Sequence, residues 1–199
     1  METSPPNYAI LEIAVLLLTT SYIRGTERTV KNKNERSFQT RRAVRALILS
    51  DNDEVLLLRM EHPERKGNFW LLPGGGVKFG EDPVVALRRE VWEETRMNLS
   101  PSPTLIWRRT HRFKRGFADA TTAVDQHEQI FFVRSRRFEP TADNNPDPSK
   151  VGLFHEFRWW TVAALNEAKG ELFAPRSLPL LVQQLVVDGY PSTPVTLDD

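Results

Sequence analysis

Three glutamates, Glu90, Glu93 and Glu94, stand at spacings i, i+3 and i+4, and a run of three glycines, Gly74-Gly75-Gly76, precedes them. On a helix these spacings put the carboxylates on one stripe. Each close pair of like charges costs about 0.2–0.5 kcal/mol. The stripe also lies at the C-terminal end of the helix, where the macrodipole disfavours negative charge. Two readings follow. One is a solvated acidic face softened by Arg88, Arg89 and Arg96. The other is a set of oxygen ligands for a hard divalent cation, Mg2+ or Mn2+, with room left for substrate phosphates. The glycines favour the cation. Without side chains the backbone comes close to a ligand, and its N–H and C=O groups reach metal or phosphate.

The remaining residue types narrow the field. The 199 residues include no cysteine, which excludes disulfides, thiolate zinc sites, iron–sulfur clusters and cysteine nucleophiles. The four histidines, His62, His111, His127 and His155, are scattered, with no H-x-x-x-H pair. Lys+Arg is 27 against 26 for Asp+Glu, a net charge of +1, so general polyanion binding is not expected and DNA is not an expected partner. A hydrophobic share of 40% is enough for a core and excludes global disorder.

The elements that must hold the stripe are readable too. Asp82 can cap free N–H groups and Pro83 suits a first helical position, so a helix is predicted from Pro83 to about Thr95. Val84, Leu87, Val91 and Thr95 form its core face. The aliphatic runs Ala43–Leu49 and Glu54–Arg59 flank Ser50-Asp51-Asn52-Asp53, a strand–turn–strand signal. Further strands are predicted at Phe69–Leu72, Thr104–Arg112, Gln129–Arg134 and Phe157–Thr161, the last followed by a short helix to Lys169. Leu178–Asp188 has helical spacing and stops at Gly189, while Asp143–Lys150 reads as a loop. Trp159 and Trp160 read as core and rim packing. The mixture predicts a mixed sheet covered by helices.

Residues 8–23 are apolar, but the uninterrupted part is only Ile13 to Leu18, directly after Glu12. Spanning a bilayer takes roughly 20 apolar residues. The opening Met-Glu-Thr-Ser-Pro-Pro lacks the basic start of a secretory signal. No membrane span and a cytoplasmic location are therefore expected. The organisation read from the chain is an N-terminal extension and polar linker over 1–42, one domain over 43–190, and a C-terminal tail over 191–199.

The run Gly75, five residues, Glu81, seven residues, Arg89-Glu90-Val91, one residue, Glu93-Glu94 resembles the Nudix box, G-x5-E-x7-R-E-U-x-E-E-x-G-U with U aliphatic. Eight of nine defined positions match, counting Met97 as the last U. The resemblance implies an α/β (α+β) fold, an α/β/α sandwich with a mixed β-sheet and the box as loop–helix–loop. It implies hydrolysis of a nucleoside diphosphate linked to another moiety, with Mg2+ or Mn2+ as cofactor. By the same resemblance Glu90 and Glu94 are the principal metal ligands, and Glu93 is a further ligand or a water-positioning base. Gly74 lends its carbonyl, and Arg89 and Glu81 form an ion pair that orients loop and helix. The general base is a box glutamate or a carboxylate near the last strands, for which Glu128 and Glu156 are the candidates.

Two departures stand out. Arg96 occupies the box glycine position, where a left-handed conformation costs a non-glycine residue roughly 1 kcal/mol, and Asn98 is the expected substitute helix end. Lys78 stands where many members carry an acidic residue.

Substrate choice is expected elsewhere. Arg108, Arg109, Arg112, Lys114 and Arg115 lie close together with Trp107 and Phe113 between them, a pattern that could grip phosphates and stack a base. An exposed basic strand is the other reading. The expected partner is a nucleotide-type small molecule; the 5′ end of RNA and a homodimer remain open. A non-catalytic Nudix-fold nucleotide- or RNA-binding regulator is the alternative function. Such modules usually lose box glutamates, and all three are retained here.

Overall fold

A computed structural model of the chain describes residues 38–61, 67–99, 102–114, 123–142 and 152–198. The apolar segment at 8–23, most of the polar linker and the loop at 143–150 lie outside the described residues.

The aliphatic run at 43–49 forms the middle of a long strand, β1 (Phe38–Ser50). Both its faces are buried, Val44, Ala46 and Ile48 on one side, Leu47 and Leu49 on the other. A strand covered on both faces reads as a continuous apolar run rather than an alternating one. The predicted turn joins β1 to β2 (Val55–Glu61), with Leu49 opposite Val55. The Ser50 hydroxyl accepts from the N–H groups of Asn52 and Glu54, which closes the turn.

The other described strands are β3 (Asn68–Leu71), β4 (Gly74–Gly76), β5 (Thr104–Lys114), β6 (Ala123–Ser135), β7 (Phe154–Trp160), β8 (Phe173–Ala174) and β9 (Val195–Leu197). They build one mixed sheet in the order β8-β3-β2-β1-β6-β5-β9, with β4 paired to β1 and β7 to β2. β1 and β6 run parallel from Phe38 opposite Ala123 to Ser50 opposite Ser135. Two strands are longer than their apolar patterns. β1 starts at Phe38, inside the stretch read as linker, and β6 starts at Ala123 rather than Gln129. In those halves the inward side chains include Arg41, Gln126 and Glu128, held in a polar network, so the hydrophobic signal is missing.

Helix α1 (Pro83–Thr95) covers one sheet face, packing Ala86, Leu87 and Val91 on Val44, Ala46, Ile48 and Leu56. The short α2 (Val162–Glu167) and α3 (Leu178–Asp188) cover the other, packing Leu165, Leu178, Val182 and Leu185 on Leu47, Leu49, Val55, Leu57, Trp70 and Trp160. Each fully buried aliphatic side chain contributes roughly 1.5–3 kcal/mol. The result is the expected α/β/α layering. Trp160 is core and Trp159 is half-buried at its rim, its indole N–H donating to the Phe138 carbonyl at 3.1 Å. Among the described residues no helix is long and apolar enough to cross a membrane.

The ends of α1 follow from its sequence at one end only. Asp82 Oδ1 accepts from Val84 N at 2.8 Å and Val85 N at 3.3 Å, with Pro83 at the first helical position, as predicted. At the other end Asn98 does not take over. Arg96 itself is left-handed, with φ 61 and ψ 13, and its N–H donates to the Trp92 carbonyl. Its guanidinium lies 5.2 Å from the Trp92 ring centroid, a cation–π contact that offsets part of the backbone cost.

Candidate active site

The glycine run is a strand, and its position explains its composition. β4 pairs antiparallel with β1, setting Gly76, Gly75 and Gly74 opposite Ala43, Val44 and Arg45. Gly74 has φ +140, and a Cβ there would lie 2.2 Å from the Val44 carbonyl oxygen. At Gly75 a Cβ would lie 2.3 Å from Glu90 Oε2. The missing side chain is thus the space in which the Glu90 carboxylate sits.

Glu90 and Glu94 are only 5% and 4% exposed, which rules out the solvated acidic face for these two. Glu94 Oε2 accepts the Gly74 N–H at 2.8 Å. Glu93 is half-buried and leans toward Arg89, 3.5 Å from Nη1. Among the described residues no three acidic or histidine side chains already close on one point, so the stripe presents two carboxylates to the glycine loop and the third to Arg89.

The ion pair expected between Arg89 and Glu81 is present and two-pronged. Nε reaches Oε1 and Nη2 reaches Oε2, both at 2.9 Å. Arg89 also donates to Glu90 Oε1 at 2.7 Å and to the Gly76 carbonyl at 2.9 Å. One guanidinium therefore ties the loop, the helix and a buried carboxylate together. Burial opposes its charge, but Glu81 and Glu90 outweigh burial and hold it firmly protonated. Burial alone would raise the Glu81 carboxyl; Arg89 and the Lys78 N–H, which donates at 2.8 Å, bring it below its usual value.

Behind β4 lies a buried network that the sequence did not announce. Arg45 reaches the carbonyls of Leu72 at 3.3 Å and Gly74 at 2.9 Å, and its Nε donates to Glu128 Oε1 at 3.2 Å. Glu128 Oε1 also accepts from Gln126 at 2.7 Å, and Oε2 from Arg109 at 3.2 Å. Arg41 donates to Gln126, and His111 Nδ1 lies 3.9 Å from Glu128. Burial pushes the Glu128 carboxyl up, but Arg45 foremost, with His111 and Arg109, brings it down to about 2. Burial brings His111 down to about 4, with Glu128 opposing and Arg109, Arg45 and Arg41 assisting. The only sequence signal for Arg45 is a lone charge inside the aliphatic run Ala43–Leu49.

The other sequence candidates scatter. Glu156 in β7 pairs with Arg59 across β2 at 3.0 Å, with Arg158 at 3.7 Å. Arg109 and His111 point into the network, whereas Arg108 and Arg112 are exposed. Arg112 makes a two-pronged pair with Asp125, at 2.6 and 2.9 Å. The side chains of Phe113, Lys114 and Arg115 lie outside the described residues.

The family model of the NUDIX domain matches residues 39–181. The chain belongs to the Nudix family. Solved structures that share its fold include two MutT proteins. The MutT Nudix hydrolase of Burkholderia pseudomallei superposes with a TM-score of 0.52 at 23% identity, over 72% of this chain and 97% of that one. The MutT protein of Methanosarcina mazei Go1 gives 0.52 at 21% identity, over 77% and 97%. The human (Homo sapiens) 8-oxo-dGDP phosphatase NUDT18 is 44% identical over 62 residues, 31% of this chain and 19% of that protein's length.

The oxygens that the Nudix box offers near this backbone are hard donors: the Glu90 and Glu94 carboxylates and the Gly74 carbonyl, with the Glu93 carboxylate turned toward Arg89. Two of the carboxylates are buried against backbone that only glycine permits. That set suits a hard divalent cation and offers nothing to a soft metal.

Proposed function

We propose that this Nudix hydrolase cleaves the pyrophosphate bond of a nucleoside diphosphate linked to another moiety, with Mg2+ or Mn2+ held by Glu90, Glu94 and the Gly74 carbonyl and completed by Glu93. The observation that carries the reading is the seating of Glu90 and Glu94, two buried carboxylates on one helix face, against the Gly74–Gly75 backbone. Arg89 and the Gly74 N–H offset part of this buried like charge, and a bound cation would offset more of it. When bound, the cation would neutralise the diphosphate and lower the pKa of a water.

The chain's own residues do the rest. Arg89 fixes Glu90 and the Gly76 carbonyl while Glu81 fixes Arg89. For proton acceptance Glu93 is the favoured group, since it is half-buried and reaches solvent. Glu128 is held at about 2 by Arg45 foremost, with His111 and Arg109, and a carboxylate so stabilised is a weak base. Glu156 is engaged by Arg59. Of the basic stretch, Arg109 is the residue placed inward, and substrate phosphate contact is assigned to it before Arg108 or Arg112.

For the substrate, the similarity to the human 8-oxo-dGDP phosphatase puts oxidised nucleoside diphosphates first in a panel with nucleoside triphosphates, sugar nucleotides, dinucleotides and RNA 5′ ends. The test is that panel with Mg2+ and with Mn2+, reading the phosphate species released, beside a Glu94→Gln control. Metal-independent release, or equal release by the control, rejects the reading.

A further inference from the structure

We infer that Arg45 is a positioning residue of this site, acting through the backbone at Leu72–Gly74, and that Glu128 anchors it rather than taking a proton. The inference rests on the assignment of Gly74 and Glu94 to the reacting site.

Two adjacent peptide units meet at Gly74, and each is held by a different side chain. The Gly74 N–H is held by Glu94 of α1 at 2.8 Å, and its carbonyl by Arg45 of β1 at 2.9 Å. Gly74 has φ +140, a conformation with little intrinsic preference to keep this orientation. Pairing with β1 sets the strand, with the Pro73 carbonyl accepting from Ala46 N at 2.8 Å, and Arg45 holds the Gly74 carbonyl itself. Its side chain is 5% exposed, and one nitrogen, Nη1, spans the carbonyls of Leu72 and Gly74 on either side of Pro73. Nε simultaneously donates to Glu128, whose side chain is 3% exposed. A planar fork with donors in fixed directions can do all three; an ammonium on a flexible stem cannot.

Glu128 is placed as the anchor. Oε1 accepts from Arg45 and Gln126, and Oε2 from Arg109. These contacts come from β1, β6 and β5, the neighbouring strands of the sheet. The connection therefore runs from the sheet through Glu128 and Arg45 to Gly74, and on to Glu94 on the helix. Because Arg45 holds the carbonyls of both Leu72 and Gly74, shifting it would loosen the backbone on either side of Pro73 and with it the N–H that Glu94 accepts.

The test is amide hydrogen exchange of Gly74 in the metal-free protein, with Ile48 in β1 as internal control, alongside half-saturation by Mn2+. Arg45→Lys is expected to speed Gly74 exchange at least tenfold, leave Ile48 unchanged and raise the Mn2+ half-saturation several-fold. Glu128→Gln is expected to move both readouts in the same direction and to keep the acid limb of the pH–kcat profile. The double variant should be no worse than the more affected single, because both act through one contact. If Arg45→Lys does not fold, Glu128→Gln carries the same comparison. Unchanged Gly74 exchange in the folded variant overturns the inference. So does faster exchange with unchanged Mn2+ half-saturation, and so does loss of the acid limb in Glu128→Gln. Exchange is read without metal or substrate, so inactivity of the wild type on every panel substrate would instead count against the hydrolase reading.

Discussion

The Gly74 N–H lies 2.8 Å from Glu94 Oε2, so the peptide that precedes the box glycine and the last carboxylate of the box form one unit. This changes what removal of the Glu94 charge should do. Repulsion within the acidic stripe alone would make Glu94→Gln slightly stabilising. The substitution also weakens a buried, charge-assisted hydrogen bond of the kind worth about 1.5–3 kcal/mol, while keeping an acceptor oxygen. We expect the two to leave the metal-free variant within about 1 kcal/mol of wild type. Turnover should fall by roughly 10²-fold or more through loss of charge stabilisation. Thermal melting without metal and kcat/KM on the best panel substrate measure both. Wild-type turnover in the folded variant would remove Glu94 from the site.

Arg89→Lys should be costly although it keeps the charge. The two-pronged pair with Glu81 and the bond to the Gly76 carbonyl need a planar fork. A stability loss of about 2 kcal/mol is expected, with a fall in kcat, because Glu90 loses its partner. Denaturant titration and steady-state kinetics decide; a lysine variant equal to wild type in both would show that the fork is dispensable.

Arg96→Gly should stabilise the protein by up to about 1 kcal/mol, since glycine adopts φ 61 freely. The loss of the contact with Trp92 limits the gain. In a Trp92→Ala background the same substitution should therefore gain more. Equal gains in both backgrounds would mean that the stacking contributes nothing.

The basic stretch should divide by face. Arg109→Ala is expected to raise KM and to lower stability, because it strips a donor from buried Glu128. Arg112→Ala opens only an exposed pair with Asp125 and should leave KM and melting temperature within error. A large KM effect at Arg112 with none at Arg109 would reverse the assignment.

His111 should make the protein acid-sensitive. Its folded value of about 4 lies below the ordinary 6.5, so the unfolded chain binds more protons between these values. Its contribution to stability is complete above pH 6.5 and is lost as pH falls toward 4. The groups that face it are Glu128, Arg109, Arg45 and Arg41. Glu128, held at about 2 against an ordinary 4.5, adds a second loss that begins below pH 4.5. A His111→Asn variant should show a flatter stability curve between pH 6.5 and 4.5 in urea titrations. An unchanged curve would show that His111 does not titrate on unfolding.

The box helix, its Asp82 cap, its core face and its glutamates were legible in the sequence because they depend on interactions within a few turns of one segment. Spacing on a helix is fixed by its period, so Glu90 and Glu94 had to share a face. The Arg89–Glu81 pair was legible through the family resemblance, which carries the contact across the loop. The N-terminal half of β1 and of β6 was not legible. Their inward side chains include polar and charged groups, and the pairing of β6 with β1 and with β5 supplies partners for them. For the same reason nothing in the local sequence set Arg45 apart, and Glu128 stood as a candidate general base. A residue's partners across a sheet are set by strand order and register. Neither is encoded in local spacing, and tertiary structure alone made Glu128 an anchor and Gly74 the link between sheet and helix.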